Sequence, residues 1–268
     1  MIGNESMAVF VDTHSHIYDE AFAQDREEVL ARCVAAGVTR LVLPGINAEA
    51  YAPMCACADA HPEMMFPCIG LHPTDVGENW EEEMAFLRAH LHERRFYAIG
   101  EIGLDEYWST EFLDLQKRLF AEQIEIAAQE GLPVIIHSRE ATEDIFRVLE
   151  ETKGIPVRGV FHAYSGSYET YKRCLKYGDF KFGIGGVLTY KKAGIAEVVT
   201  RMSPGDWILE TDCPWLTPVP HRGERNESSY IPLVAEKLSA LTGLSLETIA
   251  ERTTANAEKL FGLNNLQP

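Results

Sequence analysis

Several features that would place this chain in a membrane or a secreted scaffold are missing. Although 46% of its residues are hydrophobic, no apolar run approaches the roughly 20 residues that a membrane span needs. The opening Met-Ile-Gly-Asn-Glu-Ser-Met lacks the basic and apolar regions of a secretory signal, so we expect a cytoplasmic protein, with Met7 as an alternative start. The six cysteines form no C-x-x-C pair, and Cys55-Ala-Cys57 falls in a helix-like stretch. Neither a disulfide framework nor a thiolate zinc site is expected, and the thiols read as reduced. Positive charge is scarce as well. Lys and Arg number 24 against 41 Asp and Glu, a formal charge of -17, which opposes tight, extended binding to a duplex through phosphate neutralisation. A local basic rim is still available from Arg139, Lys191, Lys192, Arg222 and Arg225, each of which also reads as a solvated surface charge. Internal repeats, low-complexity tracts and flexible linkers are absent. The 268 residues read as one domain, 1–268, with residues 1–7 as a disordered extension.

What is present is an alternation of short β-rich runs with longer helical patterns, the mark of a parallel sheet built from βα units. Eight such units can be counted, with strands starting near Val9, Leu41, Met65, Phe96, Val134, Gly159, Lys181 and Trp207. The expected fold is therefore α/β, a TIM-type (β/α)8 barrel with an extra C-terminal helix. Asp25-Arg-Glu-Glu28 reads as a capped helix start with acid in the first turn. The helix after the fourth strand spaces Phe112, Leu115, Leu119 and Ile126 along one face. Gly37 and Gly131 sit where a helix ends and a strand follows. Ser245 to Leu260 carries Leu246, Ile249, Ala257 and Leu260 on one stripe, which predicts a helix packed across the outside of the barrel.

The ends of the strand-like runs hold the chemistry. Ala8-Val-Phe-Val-Asp-Thr-His-Ser-His16 places Asp12, His14 and His16 on one face of an extended chain, and two imidazoles on one face can hold one ion. Glu101, His137, His162 and Asp212 each close a short apolar run. A lone histidine after a strand is more often structural than a ligand, but a barrel gathers the ends of its strands at one mouth, and the ordered set points to a metallohydrolase. His72, after the third strand, belongs at the same mouth; an acid–base role, a phosphate contact and a structural loop role all remain open for it. His61, His90 and His92 read as surface residues. Tyr107 and Trp108 could stack on a substrate ring or simply pack their loop. Gly183-Ile-Gly-Gly186 matches no complete phosphate loop and reads as close backbone approach.

Taken in order, the motifs Asp12-Thr-His-Ser-His16, Gly70-Leu-His-Pro73, Gly100-Glu-Ile-Gly-Leu-Asp105, Pro133-Val-Ile-Ile-His-Ser-Arg-Glu140, Phe161-His-Ala-Tyr-Ser-Gly166, Glu210-Thr-Asp212 and Pro220-His-Arg-Gly-Glu-Arg-Asn-Glu227 resemble the TatD-type metal-dependent deoxyribonucleases from Val11 to Phe261. The resemblance implies a TIM-like barrel of the amidohydrolase type and two or three divalent ions. It also implies hydrolysis of phosphodiester bonds, typically from DNA 3′ ends. Carried over, His14, His16, Glu101 and Asp212 ligate one ion, and Glu101 bridges to a second held by His137 and His162. Glu106 and Ser228 depart from the family pattern, at places that bear on substrate preference more than on metal.

Asp212 is then the candidate general base. Arg139, Arg222 and Arg225 are the candidate phosphate contacts, and His72 would position the scissile group or assist the leaving oxygen. Four imidazoles favour Zn or Mn, whereas the resemblance implies activity with Mg or Mn. The expected partner is DNA, as short or single-stranded ends, with no membrane and no obligatory protein partner. The alternatives are a small-molecule amidohydrolase acting on a lactone, cyclic amide or phosphotriester, and a non-catalytic interaction scaffold.

Overall fold

A computed structural model describes residues 8–264; the expected extension at residues 1–7 and Met7 lie outside the described residues. Eight strands alternate with helices: β1 (Phe10–Asp12), α1 (Arg26–Ala35), β2 (Val38–Leu43), α2 (Ala48–Ala60), β3 (Met65–Pro67), α3 (Trp80–His90), β4 (Ile99–Asp105) and α4 (Leu113–Glu130) come first. They are followed by β5 (Val134–Arg139), α5 (Thr142–Glu151), β6 (Arg158–Phe161), α6 (Tyr168–Cys174), β7 (Asp179–Ile184), α7 (Ile195–Val199), β8 (Trp207–Leu209), α8 (Ile231–Thr242) and α9 (Leu246–Phe261). Every strand pair is parallel, β1-β2-β3 in one sheet and β4 to β8 in a second.

Two seams join the sheets into a closed barrel. At one, Gly100 N donates to Ile69 O at 2.9 Å and Glu101 N to Gly45 O at 2.7 Å. At the other, Thr13 N donates to Leu209 O at 3.0 Å and Asp212 N to His14 O at 2.9 Å. The fold is the expected TIM-type barrel. All eight strands fall where the sequence places them, with β4 beginning at Ile99, three residues after Phe96.

Side-chain alternation along the strands separates two apolar layers. Phe10, Leu41, Leu43, Ile136, Phe161, Phe180, Phe182, Trp207 and Leu209 pack against the helices in the larger core. Val11, Val42, Phe66, Ile135, Val160 and Ile208 form a second cluster with Ala257, Leu260, Phe261 and Leu263. The α9 helix packs across the outside of the barrel, as its stripe predicts, and it does so at one end of the barrel. It crosses the end where the strands begin: Thr254 Oγ1 donates to Val9 O at 2.8 Å, Asn256 Nδ2 to Trp207 O at 2.8 Å, and Arg158 Nη1 to Leu260 O at 2.5 Å. Its apolar end is the floor of the barrel, with each fully buried Leu or Phe there contributing roughly 1.5–3 kcal/mol.

Local signals behave as their chemistry dictates. Ser245 caps α9 by accepting from Thr248 N, and Gly131 ends α4 with φ 65°. Asp25 stands at the start of α1 but makes no side-chain cap, because its carboxylate is taken by Arg225. All six cysteines are free thiols. No helix among the described residues is long and apolar enough to cross a membrane.

Candidate metal centre

The strand ends opposite the α9 floor bring His14, His16, Glu101, His137, His162 and Asp212 into one cluster. Glu101, only 3% exposed, divides it. Its Oε2 lies 3.0 Å from His14 Nε2 and 3.8 Å from His16 Nε2, while Asp212 Oδ1 lies 3.6 Å and 3.5 Å from the same two nitrogens. Its Oε1 lies 2.8 Å from His137 Nδ1 and 2.7 Å from His162 Nε2. One carboxylate thus offers one oxygen to each histidine pair.

In His16 and His137, hydrogen bonds on the far side of the ring fix which nitrogen keeps its lone pair. Tyr18 donates its hydroxyl to Pro44 O at 2.5 Å and so accepts from His16 Nδ1 at 2.9 Å, which leaves His16 Nε2 as a donor of electrons. Asp105 Oδ2 accepts a hydrogen bond from His137 Nε2 at 2.8 Å, leaving His137 Nδ1 free to ligate. His14 Nε2 and His16 Nε2 then stand 3.1 Å apart, and His137 Nδ1 and His162 Nε2 3.3 Å apart. Imidazole nitrogens closed in pairs on shared carboxylate oxygens are an arrangement a cation resolves. The donor set of four imidazoles and two carboxylates fits divalent ions of the Zn or Mn kind.

The charges agree with this. Burial works to raise the Glu101 carboxyl, but His162, His72 and His14 around it hold it well below the usual carboxylate range. Burial works to lower the His162 imidazole, yet the charge of Glu101 raises it to about 10, whereas burial and then the charge on His162 push His14 down to about 4.

His72 stands beside the candidate ligands, in a group with Glu101 and His137 that could itself hold an ion. Its Nδ1 accepts from Thr74 N at 3.1 Å, so Nε2 carries the proton and faces Glu101 Oε1 at 3.2 Å. It reaches the cluster by holding the dividing carboxylate. The basic rim is smaller than the sequence suggested. Arg139 lies over the Tyr107 ring at 3.9 Å, and Arg222 over Tyr190 at 4.2 Å. Arg225 is a correction: its guanidinium is spent on Asp25, at 2.8 Å and 2.6 Å, and on Ala21 O at 2.6 Å, where it ties the loop before α8 to the start of α1. Asp12 shares a face with His14 and His16 but turns to Thr211, accepting from its N at 3.0 Å and its Oγ1 at 2.5 Å. It locks β1 to the segment that carries Asp212.

Two residues that the sequence argument gave no role belong to the site. Asp105, 1% exposed, orients His137. Glu210 projects into the barrel beneath His162: its Oε1 accepts from Ala163 N at 2.5 Å and lies 3.8 Å from His162 Nδ1, while its buried Oε2 has no hydrogen-bond partner. Burial raises its carboxyl to about 8. The lack of a side chain at Gly183 makes its room, since a Cβ there would collide with the Glu210 carboxylate. The period of two that joins Glu101 to Asp105 and Glu210 to Asp212 was the available signal.

Comparison with known proteins gives a consistent picture. A family model described as TatD related DNase matches residues 11–262. The uncharacterized metal-dependent hydrolase YabD of Bacillus subtilis is 39% identical over 254 residues, covering 94% of this chain and 99% of its own length. The 3′-5′ ssDNA/RNA exonuclease TatD of Pantoea ananatis is 33% identical over 249 residues, covering 90% of this chain and 95% of its own. Among solved structures, the TatD homolog YjjV from Escherichia coli superposes with a TM-score of 0.89 at 28% identity, over 96% of this chain and 99% of that one.

Proposed function

This chain belongs to the TatD-related DNases and is a metal-dependent hydrolase, and from that premise we propose that it removes nucleotides from the 3′ ends of DNA by divalent-metal-dependent phosphodiester hydrolysis. The observation that carries the reading is the split of Glu101, with Oε2 at 3.0 Å from His14 and Oε1 at 2.7 Å from His162, which suits two ions sharing one carboxylate. His14, His16, Glu101 and Asp212 would hold the first ion; Glu101, His137 and His162 would hold the second. Bound there, divalent ions of the Mg, Mn or Zn kind supply Lewis acidity, neutralising phosphate charge and acidifying water.

The chain's own residues do the rest. Asp212, whose carboxyl is held below its usual range against the upward push of burial by the His16, His14 and His162 imidazoles around it, is ionised and accepts the proton of the attacking water. His72 keeps Glu101 oriented through Nε2, and Arg139 and Arg222 hold phosphate at the rim. The name of the Pantoea relative supports nucleic acid as substrate, and a barrel mouth admits a strand end more readily than the side of a duplex. We further propose that the chain works in the cytoplasm as a single barrel domain.

The test sets closed circular single-stranded DNA beside the same sequence made linear, with Mg or Mn. Stepwise shortening of the linear form and an intact circle are expected. Cutting of the circle at a rate comparable to the linear form would remove the end-directed reading. Turnover confined to a parallel lactone and phosphotriester panel would replace it with the small-molecule alternative.

A further inference from the structure

We propose that the mouth carries two nucleobase-stacking platforms, Trp108 on one side of the ligand cluster and Trp215 on the other, which hold the bases flanking the scissile phosphate of a single strand. This rests on the phosphodiesterase reading above and adds how the substrate is recognised. Among the described residues, eight large apolar side chains are exposed, and five of them, Tyr107, Trp108, Trp215, Leu216 and Val219, lie on the loops that follow β4 and β8. Trp108 is 67% exposed and Trp215 51%. Large exposed aromatics concentrated at one opening mark a binding surface.

Both residues are tied to the cluster through their backbones. Asp105 Oδ1 accepts from the backbone N of Tyr107 and of Trp108, each at 3.0 Å, while Oδ2 of the same carboxylate holds His137 at 2.8 Å. Trp215 N donates to Asp212 O at 2.9 Å, Asn226 Nδ2 donates to Trp215 O at 2.6 Å, and the indole meets the His16 ring edge-on at 5.2 Å. Trp215 is therefore placed by Asp212, a candidate ligand of the first ion, and Trp108 by the carboxylate that orients His137, a candidate ligand of the second. Beside Trp108 lies a cation, Arg139, 5.2 Å from the Trp108 ring and 3.9 Å from the Tyr107 ring, suited to the phosphate next to a stacked base.

The chemistry selects single strands, because a base must leave the duplex stack to lie on a protein ring. It also answers the charge problem: a chain of net charge -17 has few cations for phosphate, and stacking draws on the π-face common to all bases.

The experiment measures binding of a four-nucleotide oligothymidylate by tryptophan fluorescence quenching, and kcat/KM on that oligonucleotide relative to methyl p-nitrophenyl phosphate. Trp108→Ala and Trp215→Ala should each weaken binding and lower that ratio roughly 5- to 150-fold, as expected for losing one stacked base, and the Phe variants should restore most of it. If the ratio and the affinity stay unchanged in both Ala variants while wild-type protein cleaves the small diester, the platforms are refuted and the phosphodiesterase reading stands. Wild-type protein that cleaves neither substrate overturns both.

Discussion

Replacing Asp105 with Asn separates the two jobs of that carboxylate. Oδ1 accepts two backbone N–H groups at 3.0 Å, and Oδ2 accepts from His137 Nε2 at 2.8 Å. An Asn keeps its carbonyl for the turn at Tyr107 and Trp108 but turns an N–H toward His137 Nε2, donor against donor. His137 must then move its proton to Nδ1, the nitrogen that faces Glu101 at 2.8 Å, or rotate away. Either response removes a lone pair from the second ion. Loss of such a supporting carboxylate lowers metal affinity about 10- to 100-fold, or roughly 1.4–2.8 kcal/mol. The first ion, with His14, His16 and Asp212, should keep its affinity. Calorimetric titration of metal-free Asp105→Asn with Mn should show one site shifted and one unchanged. Two sites with wild-type affinities would refute the argument that Asp105 fixes the His137 tautomer.

Three further outcomes are expected. Glu101→Ala should uncouple the two ions and abolish phosphodiester hydrolysis while leaving the fold intact; full metal content with a near-native rate, read by elemental analysis and end-labelled DNA, would show that Glu101 is not a ligand. Arg139→Ala should mainly raise KM on DNA and retain metal, whereas His14→Ala should lose metal and kcat together; equal metal loss in both would erase that division. Phe261, 3% exposed in the barrel floor, should cost about 3–5 kcal/mol when replaced by Ala, and urea unfolding that shows less than about 1 kcal/mol of destabilisation would mean the floor is not a packed core.

The metal cluster was legible because each ligand closes a short apolar run, and a closed parallel barrel brings the ends of such runs together whatever their separation in sequence. His14 and Asp212 meet across the β8–β1 seam although 198 positions apart, and only the eight-unit count announced that they would. Side-chain pairing over similar distances was not legible. Arg225 reads as a free rim cation until Asp25, 200 residues away, is seen to hold it. The same holds for α9: its apolar stripe predicts a buried face but carries no information on whether that face meets the flank of the barrel or its end. Asp105 and Glu210 lay within view, each in strand register with a residue already singled out, and were passed over because a carboxylate that ligates and one that only orients a ligand have the same side chain.

With α9 laid across the start of the strands, the first and last described stretches lie at the same face of the molecule. Val9 O is bonded to Thr254, and Asn264 Nδ2 reaches back to Glu258 at 3.0 Å, so both stand at the face opposite the ligand cluster. The barrel is thus polar in the way a socket is, with the ends of its described chain behind and its mouth in front. A resin, a surface or a fused protein joined at either side of this floor would present the opening outward to the surrounding solution.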